Sequence, residues 1–250
     1  MKSLEMICVM ANILTKGIDV SKHNGIIDWS LLKKFIDFAI IRAGYGRLAS
    51  QKDIKFEKNY QGCKDNAIPC GAYWYSYATT VADIKTEAKV FLKTIKGKKF
   101  EYPVYLDIEE QSQASLSSTT LNAMIKAFCA ILEDNGYFVG VYSYDSFFNK
   151  VSTDVQSRYS LWVANTSNVP QRVKIYGIHQ HSFKGSVSGI KGAVDLNNCY
   201  IDYPSIIKAN GFNGYSKPIT EDTSNYNYDV NGDGKVDSKD LQALQEYLNK

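Results

Sequence analysis

The sequence predicts an α/β chain: an irregular, TIM-like (β/α) barrel of five βα units followed by mainly β segments, with a small calcium loop and helix at its C-terminal end. Three observations carry this. Short apolar stretches alternate with amphipathic ones from residue 17 to residue 151. Strand-like segments without long helices between them then take over. Acidic residues recur toward the ends of the apolar stretches, where barrels of this kind collect their functional groups.

Gly17 to Val20 reads as the first strand and Trp29 to Ile36 as the first helix. Phe38 to Ala43 follows as a strand and Phe56 to Asn66 as a helix that stops before Pro69. Cys70 to Ala78 is an aromatic-rich strand with Tyr73, Tyr75 and Tyr77 on one face and Trp74 and Ser76 on the other. Val81 to Thr94 is amphipathic, Val104 to Ile108 is the fourth strand, and Thr119 to Asn135 is a helix ended by Gly136 in left-handed conformation. Phe138 to Tyr144 is strand-like and Ser146 to Val151 a short helix. Leu161 to Ala164, Tyr176 to His181 and Ala193 to Asn197 complete the series of strands.

A chain of 250 residues with 44% hydrophobic content can bury one large core and carry a small appendage. The predicted division is an N-terminal extension (1–16), a barrel (17–209), a linker rich in Gly, Ser, Pro, Asn and Thr (210–227) and a calcium-binding repeat (228–250). Residues 221–250 hold seven acids and three lysines, net −4, so of the overall +3 the first 220 residues carry +7. A mildly basic body suits an anionic substrate such as cell-wall polymer, and it lacks the concentrated Lys/Arg stripe of a nucleic-acid binder.

Cysteines 8, 63, 70, 129 and 199 form no C-x-x-C pair, are odd in number and read as reduced, partly buried thiols, with a Cys63–Cys70 bridge as the alternative. The apolar run Met6 to Ala11 is too short for an export signal or a membrane span, and Met10 is an alternative start. Release by a phage-lysin-type or non-classical route is therefore expected for a protein acting outside the cell or in its wall.

The segment Glu101 to Glu110 carries the chemistry. An apolar strand ends there in Asp107 and Glu109, spaced i, i+2 and so on one strand face. Glycoside hydrolysis needs such a pair, one carboxyl protonated to donate to the leaving oxygen and one ionised to face developing positive charge. Two further acids, Asp19 in Gly17 to Ser21 and Asp195 in Gly192 to Asn197, sit inside short apolar segments where burial is costly without purpose. The alternation His179-Gln180-His181 supplies two His on one face without a third ligand, which reads as structural, not as a metal site.

Six blocks in order then resemble those of the glycoside hydrolase family 25 lysozymes: G-I-D-V-S-K-H-N-G from Gly17, I-I-R-A-G-Y-G from Ile40, G-A-Y-W-Y-S-Y-A from Gly71, Y-P-V-Y-L-D-I-E from Tyr102, L-W-V-A-N from Leu161 and A-V-D-L-N from Ala193. The resemblance covers residues 17 to 205. It implies an irregular barrel and N-acetylmuramidase activity, hydrolysis of the β-1,4 bond between N-acetylmuramic acid and N-acetylglucosamine in bacterial peptidoglycan. Glu109 matches the family's general acid, Asp107 its partner, and Asp19 and Asp195 the two further active-site carboxylates. Tyr75 matches the tyrosine at the substrate's acetamido group, with Tyr73 as runner-up, and Trp162 and Gln180 fall where the family contacts sugar. The segment after Asn165 departs from the pattern in lacking an aromatic. Asp107 either orients the 2-acetamido group as internal nucleophile, which the resemblance favours, or activates water; side-chain rotamers span the separations that distinguish retaining from inverting pairs.

The tail gives a second signal. Asp229, Asn231, Asp233, Asp237 and Asp240 place oxygen donors at loop positions 1, 3, 5, 9 and 12, with Gly at 6 and the Lys235 carbonyl at 7. A hard cation such as Ca²⁺ needs this spacing, although position 12 carries Asp instead of the Glu of an EF-hand. Leu241, Leu244, Tyr247 and Leu248 then form one apolar helix face. The run resembles a dockerin repeat, of which dockerins usually carry two, and implies a cohesin module as partner.

Two function classes follow: a calcium-tethered muramidase, or a catalytically silent glycan-binding or adhesion protein on the same barrel. Four converging acids favour the enzyme, because a binder has no use for groups that repel one another. A chitin-cleaving specificity is a variant within the enzyme class.

Overall fold

Alternation along each strand sends one row of side chains inward and the next outward, and this sorting builds the molecule. The structure, a computed structural model, describes residues 12–173 and 175–217. In order they form β1 (Thr15–Val20), α1 (Trp29–Leu32), β2 (Phe38–Tyr45), α2 (Phe56–Asp65), β3 (Cys70–Tyr75), α3 (Val81–Ile95), β4 (Val104–Asp107), α4 (Gln111–Ala114) and α5 (Ser118–Glu133). There follow β5 (Val139–Tyr144), α6 (Thr153–Arg158), β6 (Ser160–Ala164), β7 (Ile178–Gly185), β8 (Val194–Cys199) and α7 (Tyr203–Asn210).

The strands close in sequence order into an eight-stranded barrel. β1 to β7 run parallel, while β8 is antiparallel to both β7 and β1. Five βα units followed by β structure is the predicted rhythm. The β segments after β6 complete the ring, with a hairpin as the final stave.

Outward-facing Ile18, Val20, Ile41, Trp74, Leu106, Val141 and Leu161 pack against the helices. Inward-facing Phe38, Ile40, Tyr105, Trp162, Ile178 and Cys199 fill the lower barrel. Large rings enter because facing positions are small: a Cβ on Gly140 would lie 2.3 Å from the Tyr105 ring. Thr80 and Ser117 cap α3 and α5 through their hydroxyls. Both helices present i, i+3, i+4 apolar faces, Ile84, Ala88, Phe91 and Ile95 in one and Leu121, Ile125, Phe128 and Leu132 in the other. Gly136 has the expected left-handed conformation, with φ 81°.

Several boundaries differ from expectation. The first helix stops at Leu32, not Ile36, because the chain must turn back for Asp37, whose backbone N–H and carboxylate both bond Lys16. The third strand ends at Tyr75, not Ala78; Gln113 donates to the Ser76 and Ala78 carbonyls and draws that segment out of the sheet. Residues 210–217, predicted as linker, continue onto the barrel base. Asn213 is fully buried there, its carboxamide accepting from Phe138 N–H at 2.8 Å and donating to the Tyr102 carbonyl at 2.9 Å. Composition misled because Asn213 satisfies buried backbone groups here instead of meeting water.

Cys63, Cys70, Cys129 and Cys199 are buried free thiols, so the 63–70 bridge is absent. No helix of the described residues is long and apolar enough to cross a membrane. The N-terminal run Met6 to Ala11 and the calcium loop, Asp229 to Asp240, lie outside the described residues.

Candidate active site

The four predicted acids reach one rim by three routes. Asp19 is the penultimate residue of β1, Asp107 ends β4, and Glu109 lies two residues beyond in the following loop. Asp195 was expected late in its strand; it is instead the second residue of β8. It still arrives at the same rim because β8 runs the other way, and its register partner in β1 is Asp19. All four line a single cavity of about 360 Å³, together with Tyr73, Tyr75, Trp162 and Gln180.

Asp19 is held by a chain of polar groups. Its Oδ2 accepts from Gln180 Nε2 and from Asn197 Nδ2, each at 2.8 Å. Gln180 Oε1 accepts from the Tyr142 hydroxyl at 2.7 Å, and Asn197 Oδ1 from Trp162 Nε1 at 2.8 Å. Each amide therefore has its oxygen committed to a donor and its nitrogen to Asp19, which leaves one consistent orientation for both. Trp162, 1% exposed, is floor and anchor at once, its ring packed against Tyr142, Tyr105 and Tyr73.

Arg42 brings a cation among the acids. Its Nε donates to Asp53 Oδ2 at 2.8 Å. Asp53 also accepts the Lys22 and Lys55 backbone N–H groups, so the anchor has its own bonds satisfied. Tyr75 donates to Glu110 Oε1 at 2.7 Å.

Charge crowding and burial raise the carboxyl pKa values. Burial, then repulsion by Glu109 and Asp19, pushes Asp107 well above the ordinary range, opposed by Arg42. Asp19 is pushed well up by burial and by Asp195, and Asp195 is raised by burial. The two are close enough to share a hydrogen bond once one is protonated. Glu109 is pushed up to about 7 by burial and by Glu110, with a hydrogen bond from Tyr144 pulling the other way. A carboxyl that titrates near neutrality can serve as a proton donor there.

Three buried polar atoms at this cavity have no partner: Arg42 Nη2, Asp107 Oδ1 and Glu109 Oε2. Buried polar groups are ordinarily bonded, so three orphans at one cavity mark the atoms left for a ligand.

Arg42, Tyr142 and Asn197 were not anticipated. Asn197 stands i+2 from Asp195, so strand alternation places it on the same face; Arg42 is a lone cation in an apolar strand. Tyr77 lies beyond the strand end and is 52% exposed, so it does not join Tyr73 and Tyr75 in the cavity. His179 bonds the Asn165 carbonyl at 2.8 Å and packs beside His181, and among the described residues no cluster of His, Cys, Asp or Glu could hold a metal.

Comparison with known proteins agrees with this geometry. Residues 18–190 match the profile of Glycosyl hydrolases family 25, and residues 201–249 that of the Dockerin type I domain. The second match is wider than the repeat expected at 228–250, and it begins beside α7 at the barrel base. The chain is 30% identical over 198 residues to the uncharacterized protein YegX of Escherichia coli K12, covering 76% of this chain and 71% of that one. It is 28% identical over 184 residues to the autolytic lysozyme of Clostridium acetobutylicum, covering 73% of this chain and 55% of that relative. The bacterial lysozyme from Streptomyces coelicolor superposes with a TM-score of 0.64 at 28% identity, over 74% of this chain and 91% of that one. With its acids on the barrel rim and a family match that spans most of the barrel, the chain belongs to glycosyl hydrolase family 25 and carries a type I dockerin domain at its C-terminal end.

Proposed function

We propose that the protein is a peptidoglycan-cleaving muramidase. It hydrolyses the β-1,4 bond between N-acetylmuramic acid and N-acetylglucosamine, with Glu109 as general acid and Asp107 orienting the 2-acetamido group. The observation that carries the reading is the cluster of unpartnered Asp107 Oδ1, Glu109 Oε2 and Arg42 Nη2 in the acid-lined cavity. The names of the lysozymes that the chain resembles support the substrate class.

In the first step the Glu109 proton passes to the glycosidic oxygen as the bond from C1 breaks. The acetamido oxygen closes on C1, giving an oxazolinium-type intermediate whose N–H bonds to Asp107. Water then attacks C1 and gives its proton to Glu109, so the anomeric configuration is retained and the acid is regenerated. Asp19 and Asp195 stabilise the cationic ring electrostatically in a site that excludes bulk water. Tyr73, Tyr75, Trp162 and Gln180 shape the subsite.

The C-terminal loop binds Ca²⁺ through Asp229, Asn231, Asp233, the Lys235 carbonyl, Asp237 and Asp240. The dockerin match supports docking onto a cohesin module and a site of action outside the cell or at its wall.

Glu109→Gln tests the acid assignment. The variant is expected to fold normally and to release no reducing ends from purified peptidoglycan, and full turnover in it would refute the role. End-group analysis of wild-type product separates muramidase from glucosaminidase, and an inactive wild type leaves the glycan-binding reading.

A further inference from the structure

A second cavity, of about 620 Å³, opens on the same rim beside the acid-lined one. Its walls come from the loops after β2 and β3 and from the first turns of α3. They include Arg47, Leu48, Tyr77, Asp83 and Glu87. Neighbouring tyrosines line the two cavities: Tyr75 the acid-lined one and Tyr77 the second, with ring centroids 5.1 Å apart. The geometry points to a binding site for a short acidic peptide carried on the glycan, the stem peptide on the lactyl group of the muramyl unit.

This rests on the muramidase reading and names a further part of its substrate. Glu87 supplies the observation that a ligand is missing. The residue is fully buried and its Oε1 accepts the Tyr77 N–H at 3.1 Å, but Oε2 has no partner. A buried carboxyl oxygen left over at a cavity wall is a place for a peptide N–H. Burial also raises the Glu87 pKa.

Arg47 supplies the complement. It is exposed, and its Nη1 bonds Asp83 Oδ1. A guanidinium has five N–H donors in a planar fork, so the remaining ones are free to meet a carboxylate. Leu48, 61% exposed, offers apolar surface for a small side chain between the two polar ends. A buried acceptor, an apolar wall and an exposed guanidinium together match backbone amide, methyl side chain and carboxylate. Glycan stripped of peptide keeps a lactyl carboxylate but offers no peptide N–H for Glu87.

The test compares full-length protein on intact peptidoglycan and on glycan strands stripped of peptide by an amidase. Arg47→Ala and Glu87→Gln are expected to raise KM on the peptide-bearing polymer by about tenfold, the scale of one lost charge-assisted hydrogen bond, with kcat little changed. On stripped strands both variants should match the wild type. Equal effects on both substrates, or none on either, would overturn the proposal. Binding of a soluble disaccharide-tetrapeptide, against the same disaccharide without peptide, is measured in parallel on the Glu109→Gln variant. That measurement keeps the two readings apart. A peptide-dependent affinity that Arg47→Ala removes supports the site even where wild-type turnover fails, and peptide-independent binding sinks it even where turnover succeeds.

Discussion

Asp19 and Asp195 are register partners across the antiparallel β1 and β8 pair, so two acids 176 positions apart in the chain meet by strand pairing alone. The amides of Gln180 and Asn197 then hold Asp19 from the other side through Oδ2. Pairing sets the separation of the carboxyls, and the amides set the rotamer.

Asn197→Ala should therefore cost more than one hydrogen bond. It removes a donor from buried Asp19 and strands the Trp162 indole N–H, each worth about 1–3 kcal/mol when left unsatisfied in the interior. Urea denaturation should give a lower midpoint by a corresponding amount, with activity reduced as well. An unchanged midpoint would mean that water or a neighbour replaces the amide at no cost.

The Glu109 carboxyl sets a pH dependence with a definite sign. Its pKa rises from an ordinary 4.5 in the unfolded chain to about 7 in the folded one. The folded state thus binds more protons between these values, and stability falls as pH rises through that window, by up to about 3 kcal/mol. Glu109→Gln removes this loss. The variant should match the wild type at pH values below the unfolded pKa and exceed it in stability above about 7. In the wild type the rate should decline as pH rises past the same value, since the acid must be protonated. A rate still climbing well into the alkaline range would remove Glu109 from that role.

Arg42 separates charge from geometry. Its positive charge lowers the Asp107 pKa against burial and neighbouring acids. Arg42→Met should move the acidic limb of the kcat/KM profile to higher pH, because Asp107 then keeps its proton longer. Arg42→Lys preserves the charge but not the unpartnered Nη2, and should leave the limb in place while raising KM. Identical profiles for the two variants would assign the residue to stability alone.

In the tail, Asp233→Ala removes the position 5 oxygen of the proposed calcium loop. Calorimetric titration of the full chain is expected to lose at least about tenfold in Ca²⁺ affinity. Unaltered affinity would place the cation elsewhere.

Much of the architecture was legible because its signals are local. Helical faces such as Ile84, Ala88, Phe91 and Ile95 repeat within a few residues, and Gly136 marks its helix end without reference to anything distant. The acids of the site were legible for the same reason: a carboxylate inside an apolar stretch is conspicuous in a single window. Arg42 and Asn197 were not legible in this way, since an isolated Arg or Asn in a strand is explained only by what faces it. The Asn and Gly of residues 210–217 read as tether until burial revealed Asn213 bonded to the barrel base.

By itself the sequence determined the β/α rhythm, the identity of the four acids and the oxygen spacing of the tail loop, all properties written within short windows of chain. Tertiary structure decided that the ring closes, that β8 reverses and so delivers Asp195 from its leading end, and that Gln180 and Asn197 clamp Asp19. The division has one physical cause. Periodicity and spacing are fixed by local backbone geometry, whereas hydrogen-bond partners and burial depend on which distant strands become neighbours when the barrel forms.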